Sequence, residues 1–500
     1  MRVVPDTIVR FPSEDVAMSD RRLFAALAAL ALSLGIAPAA MAQSQRGLDA
    51  RSKEVFDHWT PAARAAAIPM DLVIDPRGLG YLRLPDGSLV PHGHDVAAAT
   101  PVPMASDTSG PTVTNQDPAS GATIGASYTF KAKVTDATGV KSVAFWVQKS
   151  GSSAQSFAAT GSSGNYSVAL SGFTDGAWTW WVVAKDTVVK GGGNTTTTNK
   201  ISFNVSTGGG GGGGGGMVSS AKWTNGGVVQ EAAGRLYFEM PANTRLTRWQ
   251  GYVCSGTVVN DGAGNGRSII LTASHCVYDD ANKVFARNVM FIPNQAATSG
   301  TATDLNCTND KYGCWAPNFG VVDVKYTQSV FPNNSAWDYA FYVVSDTGAH
   351  TLGYTTGTVD GLDAAVAPMD ISFTAPTLGT LAYALGYSYD QDPNFMYCTD
   401  NLANETSKNP PIDYWLAGCG LTGGSSGGPW VQSSATNLGT GPVFSVNSWG
   451  YTNQPGMAGP ILAGTSASCV FAAAKGNALF ASKPADGKAG YTTTGTGCAP

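Results

Sequence analysis

The chain has 500 residues, enough for two to four folding units at about 100–200 residues each, so one small domain is excluded. Charged residues make up only 13% and 61 residues are glycine, which excludes coiled coils and long helical arrays and predicts a turn-rich, all-β chain. Thirty Lys and Arg against 35 Asp and Glu leave a net charge of −5 with no long basic run, which argues against a nucleic-acid partner.

Arg21 and Arg22 precede an apolar stretch over residues 23–37 and the small-x-small site Ala40-Met41-Ala42. This is the pattern of a signal peptide over residues 1–42, cleaved after Ala42. Asp6, Glu14 and Asp15 are unlike the start of a leader and make Met18 the alternative first residue. The apolar run is shorter than the ~20 residues that span a bilayer, and no later run is long enough, so a secreted, extracellular protein without a membrane anchor is expected. Residues 43–106 are rich in Ala and Pro, with a short helical piece near residues 52–59 and a hairpin pattern at residues 81–90 around Asp86-Gly87. They read as a pro-region or an extension. His92 and His94 could face one metal, but two ligands do not close a site, so a polar loop and no metal are expected.

Residues 107–206 carry short alternating segments between turn residues, at 127–134, 140–148, 165–170, 178–185 and 200–205, the pattern of a small β-sandwich. Residues 128–134, Val143-Ala-Phe-Trp146 and residues 177–186 resemble bacterial immunoglobulin-like modules of secreted enzymes, a superfold that carries little function by itself. In Trp178-Thr-Trp-Trp181 a pleated strand places Trp178 and Trp180 on one face and Trp181 on the other. At least one face is expected to be core; the alternative is a platform for a polysaccharide or cell-surface ligand. An unbroken run of nine glycines ends at Gly216. Residues 207–216 are therefore read as a flexible linker, of r.m.s. length about 17 Å by the square-root rule for Gly-rich chains.

Three segments beyond the glycines carry chemistry. Ile269-Ile-Leu-Thr-Ala-Ser-His275-Cys276 is an apolar strand running into a small-residue turn that presents a histidine. Ala336-Trp-Asp338 heads an alternating strand, and Gly423-Gly424-Ser425-Ser426-Gly427-Gly428 sets a serine among glycines. A serine hydroxyl needs an adjacent base, and the imidazole needs a buried carboxylate to hold its tautomer. Asp323, within a valine strand, is the second candidate for that carboxylate. Order and motifs together resemble the chymotrypsin-like (trypsin-fold) serine proteases, in the chain order His, Asp, Ser, over residues 249–481.

That resemblance implies a double β-barrel with a C-terminal helix at residues 469–480, a protease domain over residues 217–500, and a catalytic set of His275, Asp338 and Ser426. It makes the N–H groups of Gly424 and Ser426 the oxyanion hole. Val446-Asn-Ser448-Trp449-Gly450 matches the strand on which the family lays its substrate as an added antiparallel strand. All eight cysteines lie at or after Cys254, none spaced as C-x-x-C, which reads as disulfides rather than zinc. The family bridge joins Cys254 to Cys276, worth about 3 kcal/mol in the chain-entropy model; the further expected pairs are Cys307 with Cys314, Cys398 with Cys419, and Cys469 with Cys498.

Departures from the family shape the specificity expectation. Many animal members carry an Asp before the nucleophile that pairs with a newly cut N-terminus; here Ser425 cannot form that ion pair. The trypsin carboxylate position aligns near Gly420, and the His of glutamyl-specific relatives is Asn447. An uncharged pocket walled by Gly420 and Gly450 is therefore expected, with Asp413 the acid that a folded-back loop could bring to its floor. Together these readings predict a secreted endopeptidase acting on protein or peptide substrates without a cofactor. The alternatives are an esterase using the same triad, or an inactive scaffold carrying a binding sandwich.

Overall fold

The computed structural model describes residues 50–94, 109–187 apart from 126 and 163, 193–205, 218–262, 266–299, 306–350, 361–432, 441–476 apart from 453, and 490–493. The expected signal peptide, the nine-glycine run and Cys498 lie outside the described residues.

The first unit is a two-sheet sandwich. One sheet orders Thr160–Ser162, Asn165–Ser171, Ser127–Thr135 and Thr112–Asp117. The other runs Thr123–Ile124, Ile201–Val205, Gly176–Asp186, Val140–Lys149 and Gln155–Ala158, with Thr195–Thr197 also on Gly176–Asp186. Alternation in the sequence becomes alternation in burial: Val143, Phe145 and Val147 point inward. Their register opposite Ala184, Val182 and Trp180 sets buried residue against buried residue. Phe130, Phe145, Trp180 and Phe203 fill the core, and Trp180 Nε1 donates to Pro118 O at 2.9 Å, so the indole is buried without an unpaired donor. On the opposite face Trp181 stacks on Trp146 with centroids 5.8 Å apart, and the Lys200 ammonium lies 4.3 Å from the Trp181 ring.

The second unit is built on three large sheets and a two-stranded ribbon of Tyr278–Asp279 with Val284–Phe285. The largest orders Arg287–Pro293, Ala233–Pro241, Trp249–Val259, Arg267–Thr272, Ala340–Ser345, Phe319–Asp323 and Gly490–Thr493. Another orders Val218–Lys222, Met396–Asn401, Leu381–Gly386, Pro429–Gln432 and Val443–Val446. The third begins Ala403–Asn404, Asp413–Leu416, Met457–Pro460 and Trp449–Tyr451. The C-terminal helix is Ala467–Lys475, starting two residues before the expected 469, and residues 477–480 are outside the described ones. Ala467, Val470, Phe471 and Ala474 recur at helical spacing and bury one stripe, with Phe471 packed 5.1 Å from Phe341.

The third sheet is completed by chain from the far side of the sandwich: Leu72–Ile74, Gly80–Arg83 and Leu89–Pro91. The hairpin turns at Asp86-Gly87 as its residue types predict, with Gly87 N donating to Leu84 O at 2.8 Å. Residues 50–58 are helical, and a second turn of helix, Pro61–Ala66, starts with Pro at its first position and Thr60 Oγ1 accepting from Ala63 N. Val55 and Trp59 bury against Tyr237, Val253 and Met290 of the second unit. His92, expected in a polar loop, places Nε2 2.6 Å from Asp280 Oδ1.

Candidate active site

The register of two strands brings the first two candidate side chains together. Arg267–Thr272 and Ala340–Ser345 run antiparallel with Thr272 opposite Ala340. The chain leaving Thr272 turns through Ser274–Cys276, and the chain arriving at Ala340 comes from the turn Ser335–Trp337, so His275 and Asp338 hang from the same end of one strand pair. Ser274 Oγ lies 2.9 and 2.8 Å from the carbonyls of Trp337 and Tyr339, clamping the turns. His275 Nδ1 is 2.7 Å from Asp338 Oδ2, and Asp338 Oδ1 accepts from His275 N at 2.9 Å. Ser448 Oγ donates to Asp338 Oδ2 at 2.5 Å. A carboxylate on the Nδ1 side fixes the proton there and leaves the Nε2 lone pair free to accept one. Nε2 is buried and has no hydrogen-bond partner among the described residues.

Asp323 stands elsewhere. Its Oδ1 caps the helix Val324–Gln328 by accepting from Lys325 N, and its Oδ2 accepts from Ser466 Oγ. Its valine-strand setting thus ends in a helix cap.

Ser426 arrives from the other side of the cleft on the glycine loop. Gly424 and Gly427 have φ of +91° and +80°, and a Cβ on Gly427 would lie 2.1 Å from Thr272 Oγ1 and 2.3 Å from Ser255 O. Only glycine admits both the backbone angle and this approach to the histidine-bearing sheet. Ser255 N donates to Ser426 O at 2.7 Å, completing the junction.

The loop's carbonyls are each held from behind. Tyr389 N donates to Gly423 O at 2.9 Å, and Asn447 Nδ2 and Gly428 N donate to Ser425 O, both at 2.9 Å. Across a trans planar peptide the N–H points opposite to the C=O, so these bonds turn the Gly424 and Ser426 amides away from the groups that hold the two carbonyls. Neither amide donates to another described residue. Ser425 Oγ donates to Thr422 O at 2.8 Å, an internal tie in place of an ion pair.

Two residues that sequence reasoning did not single out complete this support. Arg235, fully buried in the strand Ala233–Pro241, donates from Nη1 to Gly424 O at 2.9 Å and pairs through Nη2 with Asp392. Ser255 Oγ donates to the same carbonyl at 2.9 Å. The available signal was an arginine in a largely apolar run, Ala233–Pro241, whose one other charge is Glu239. Asn447 is buried, with Oδ1 accepting from Trp430 Nε1 at 2.7 Å and Nδ2 also reaching Leu385 O at 2.7 Å, so it serves the loop.

A cavity of about 150 Å³ opens beside Ser426, walled by Gly420, Leu421, Trp449, Gly450, Tyr451 and Met457. Its two charged lining residues, Asp71 and Arg83, come from the N-terminal segment and pair with each other at 2.8 Å. Asp413 is not on the wall. It lies behind Trp449, accepting from Trp449 Nε1 at 3.2 Å and Ser335 Oγ at 3.0 Å, and burial pushes its carboxyl up to about 7.

Disulfides join Cys254 to Cys276, Cys307 to Cys314 and Cys398 to Cys419. Cys469 is buried, and its expected partner lies outside the described residues. Two groupings of potential metal ligands, Cys254 with His275 and Cys276, and Cys307 with Asp310 and Cys314, are built on these bridged cysteines and offer no thiolate.

Residues 254–439 match the family model of the trypsin-like peptidase domain, and residues 111–207 that of the bacterial Ig domain. Comparison with curated proteins returns no match. Among solved structures the chain is similar to CopC from Methylosinus trichosporium OB3b, at 14% identity over 19% of this chain and 92% of that one, with a TM-score of 0.16. The fibronectin(III)-like modules of Clostridium thermocellum CbhA match at 21% identity over 19% and 97%, with a TM-score of 0.15. The endo-beta-1,4-mannanase from Thermotoga petrophila matches at 18% identity over 20% of each chain, TM-score 0.16, so this chain spans a fifth of its length.

Proposed function

We propose that this chain, which carries a bacterial Ig domain and a trypsin-like peptidase domain, is a secreted serine endopeptidase acting through His275, Asp338 and Ser426. The observation that carries the reading is the Asp338 to His275 hydrogen bond, which leaves Nε2 as a buried unpartnered base in the cleft that Ser426 enters on its glycine loop. In this reading Nε2 takes the Ser426 proton as Oγ bonds to the substrate carbonyl carbon, and Asp338 stabilises the imidazolium. The Gly424 and Ser426 amides receive the oxyanion. The imidazolium then gives its proton to the leaving amine, and water, deprotonated by the same nitrogen, releases the acyl group from Ser426. Tyr389, Asn447, Arg235 and Ser255 act as positioning residues, since each holds a loop carbonyl rather than the reacting atoms. Side chains and amides carry every step, so no cofactor or metal is proposed.

The cavity beside Ser426 has no charge of the peptidase domain on its wall, which favours apolar or aromatic side chains N-terminal to the cut; an Arg or Lys head group would be buried unpaired. Three disulfides support an oxidising, extracellular setting. The half-buried Trp146–Trp181 stack is the proposed face of the sandwich for a polysaccharide or cell-surface ligand. The test is labelling of the full chain by a fluorophosphonate, with the adduct located by mass spectrometry. An adduct on Ser426 that disappears in Ser426→Ala and His275→Ala is expected; a folded protein with Ser426 uncovered that never labels there sinks the reading.

A further inference from the structure

The groove that a substrate would enter already holds a strand of this chain. Leu72–Ile74 lies along Trp449–Tyr451, with Leu72 opposite Trp449, Val73 opposite Gly450 and Ile74 opposite Tyr451, and Thr452 N donates to Ile74 O at 3.0 Å. Just before it, Ile68–Pro69 runs along Tyr252 and Val253, and Met70 N donates to Val253 O at 3.1 Å. The segment thus crosses the cleft from one sheet to the other, and at the crossing Ser426 Oγ donates to Met70 O at 3.0 Å. Asp71 sits at the cavity mouth, tied to Arg83. A Cβ placed on Gly423 would lie 2.5 Å from Asp71 Cβ and 2.9 Å from Pro69 Cβ, so the segment rests directly on the backbone of the nucleophile loop.

We propose, resting on the peptidase reading, that residues 68–83 have a second function as an inhibitor of this chain's own peptidase domain, bound in the substrate groove in reverse. The pairing of Leu72–Ile74 with Trp449–Tyr451 is parallel, whereas a substrate on this strand runs antiparallel. Direction decides the chemistry. Hydrolysis needs the carbonyl carbon at Oγ and the carbonyl oxygen in the amide hole; here the Met70 oxygen faces Oγ, engages the hydroxyl proton and leaves His275 Nε2 without it. The segment therefore covers the nucleophile without being a substrate for it. Leu72 and Val73 are buried, and as part of the same chain they compete with substrate at an effective concentration that dilution does not lower.

The experiment measures the rate of Ser426 labelling by a fluorophosphonate in the full-length protein, in Asp71→Ala/Arg83→Ala, and in Ile74→Asp. The double variant changes partly exposed positions and keeps the test alive if Ile74→Asp does not fold, which a retained melting transition checks. Labelling is expected to rise at least tenfold in the double variant, and a synthetic peptide of residues 67–84 is expected to slow it again. Equal rates in the wild type and folded variants overturn the inhibitor and leave the peptidase reading standing, as does a rise that the peptide does not reverse. Absence of labelling in every folded protein, variants included, overturns the peptidase reading and the inhibitor with it.

Discussion

The sandwich and the N-terminal segment both precede the glycine run, yet they bury their apolar residues in opposite ways. Phe130, Phe145, Trp180 and Phe203 pack on one another within a core of their own. Val55 and Trp59 pack on Tyr237, Val253 and Met290, while Met70, Leu72 and Ile74 join the core cluster of the peptidase unit. A segment of 45 described residues is too short to enclose a stable core by itself, so its apolar face must be covered by another unit. Closeness in the chain is thus a poor guide to which unit a residue stabilises; the location of the buried partners decides it.

Four measurements separate the two regions, beginning with the largest effect. Asp338→Asn, made in the Asp71→Ala/Arg83→Ala background, should lower peptide hydrolysis by about 10⁴ through the wrong imidazole tautomer and leave the melting of the sandwich untouched; wild-type rates would remove Asp338 from the mechanism. Trp180→Ala should destabilise the sandwich by about 3–5 kcal/mol, and Leu72→Ala the docked segment by about 2–5 kcal/mol. Calorimetry should see the first as a lowered sandwich transition with unchanged labelling of Ser426, and labelling kinetics should see the second as a faster rate. If Trp180→Ala also speeds labelling, the sandwich and the segment are one cooperative unit and the contrast fails.

Thiol reduction comes next. No cysteine lies between residues 107 and 206, so a reductant should leave the sandwich transition in place while the peptidase unit loses about 3 kcal/mol for the Cys254–Cys276 loop alone. The smallest effect is one of pH. At His92, burial opposes the charge, but the hydrogen bond and charge of Asp280, with Asp279 beyond, raise its pKa overall. At Asp280, burial is likewise outweighed by His92, Asn334 Nδ2 and Phe331 N, and its pKa falls. The raised histidine stabilises docking fully below the ordinary value near 6.5, and this is lost as pH rises through the raised one; the lowered carboxylate stabilises it above about 4, lost as pH falls through the depressed one. Docking should therefore be tightest between about pH 4 and 6.5. The wild-type labelling rate, divided by that of His92→Gln to remove shared pH dependence, should rise toward pH 8. A flat ratio would detach the pair from docking, whose contribution is about 1.5–3 kcal/mol for a charged hydrogen bond.

What could be read in advance follows from the range of the forces involved. The sandwich strands show in the sequence because one buried and one wet face impose a period of two on residues such as Val143, Phe145 and Val147. His275, Asp338 and Ser426 stand in motifs because turns, strand heads and glycine loops are local requirements. Leu72–Ile74 is buried at all three positions, too short for any period, and its partner across the cleft, Trp449–Tyr451, is more than 370 residues away. Arg235 was hidden for the same reason, since Gly424 O and Asp392 are 189 and 157 residues distant. Its strand shows two charges, Arg235 and Glu239, but nothing local that names their partners.

Arg235 spans more than a hydrogen bond. It belongs to the histidine-bearing sheet, and the carbonyl it holds belongs to the nucleophile loop. A nascent chain with only one half folded has either the arginine without the loop or the loop without its anchor. The backing of the glycine loop is therefore complete only when both halves are in place. On the proposed peptidase reading, that dependence would keep half-finished copies from cutting one another.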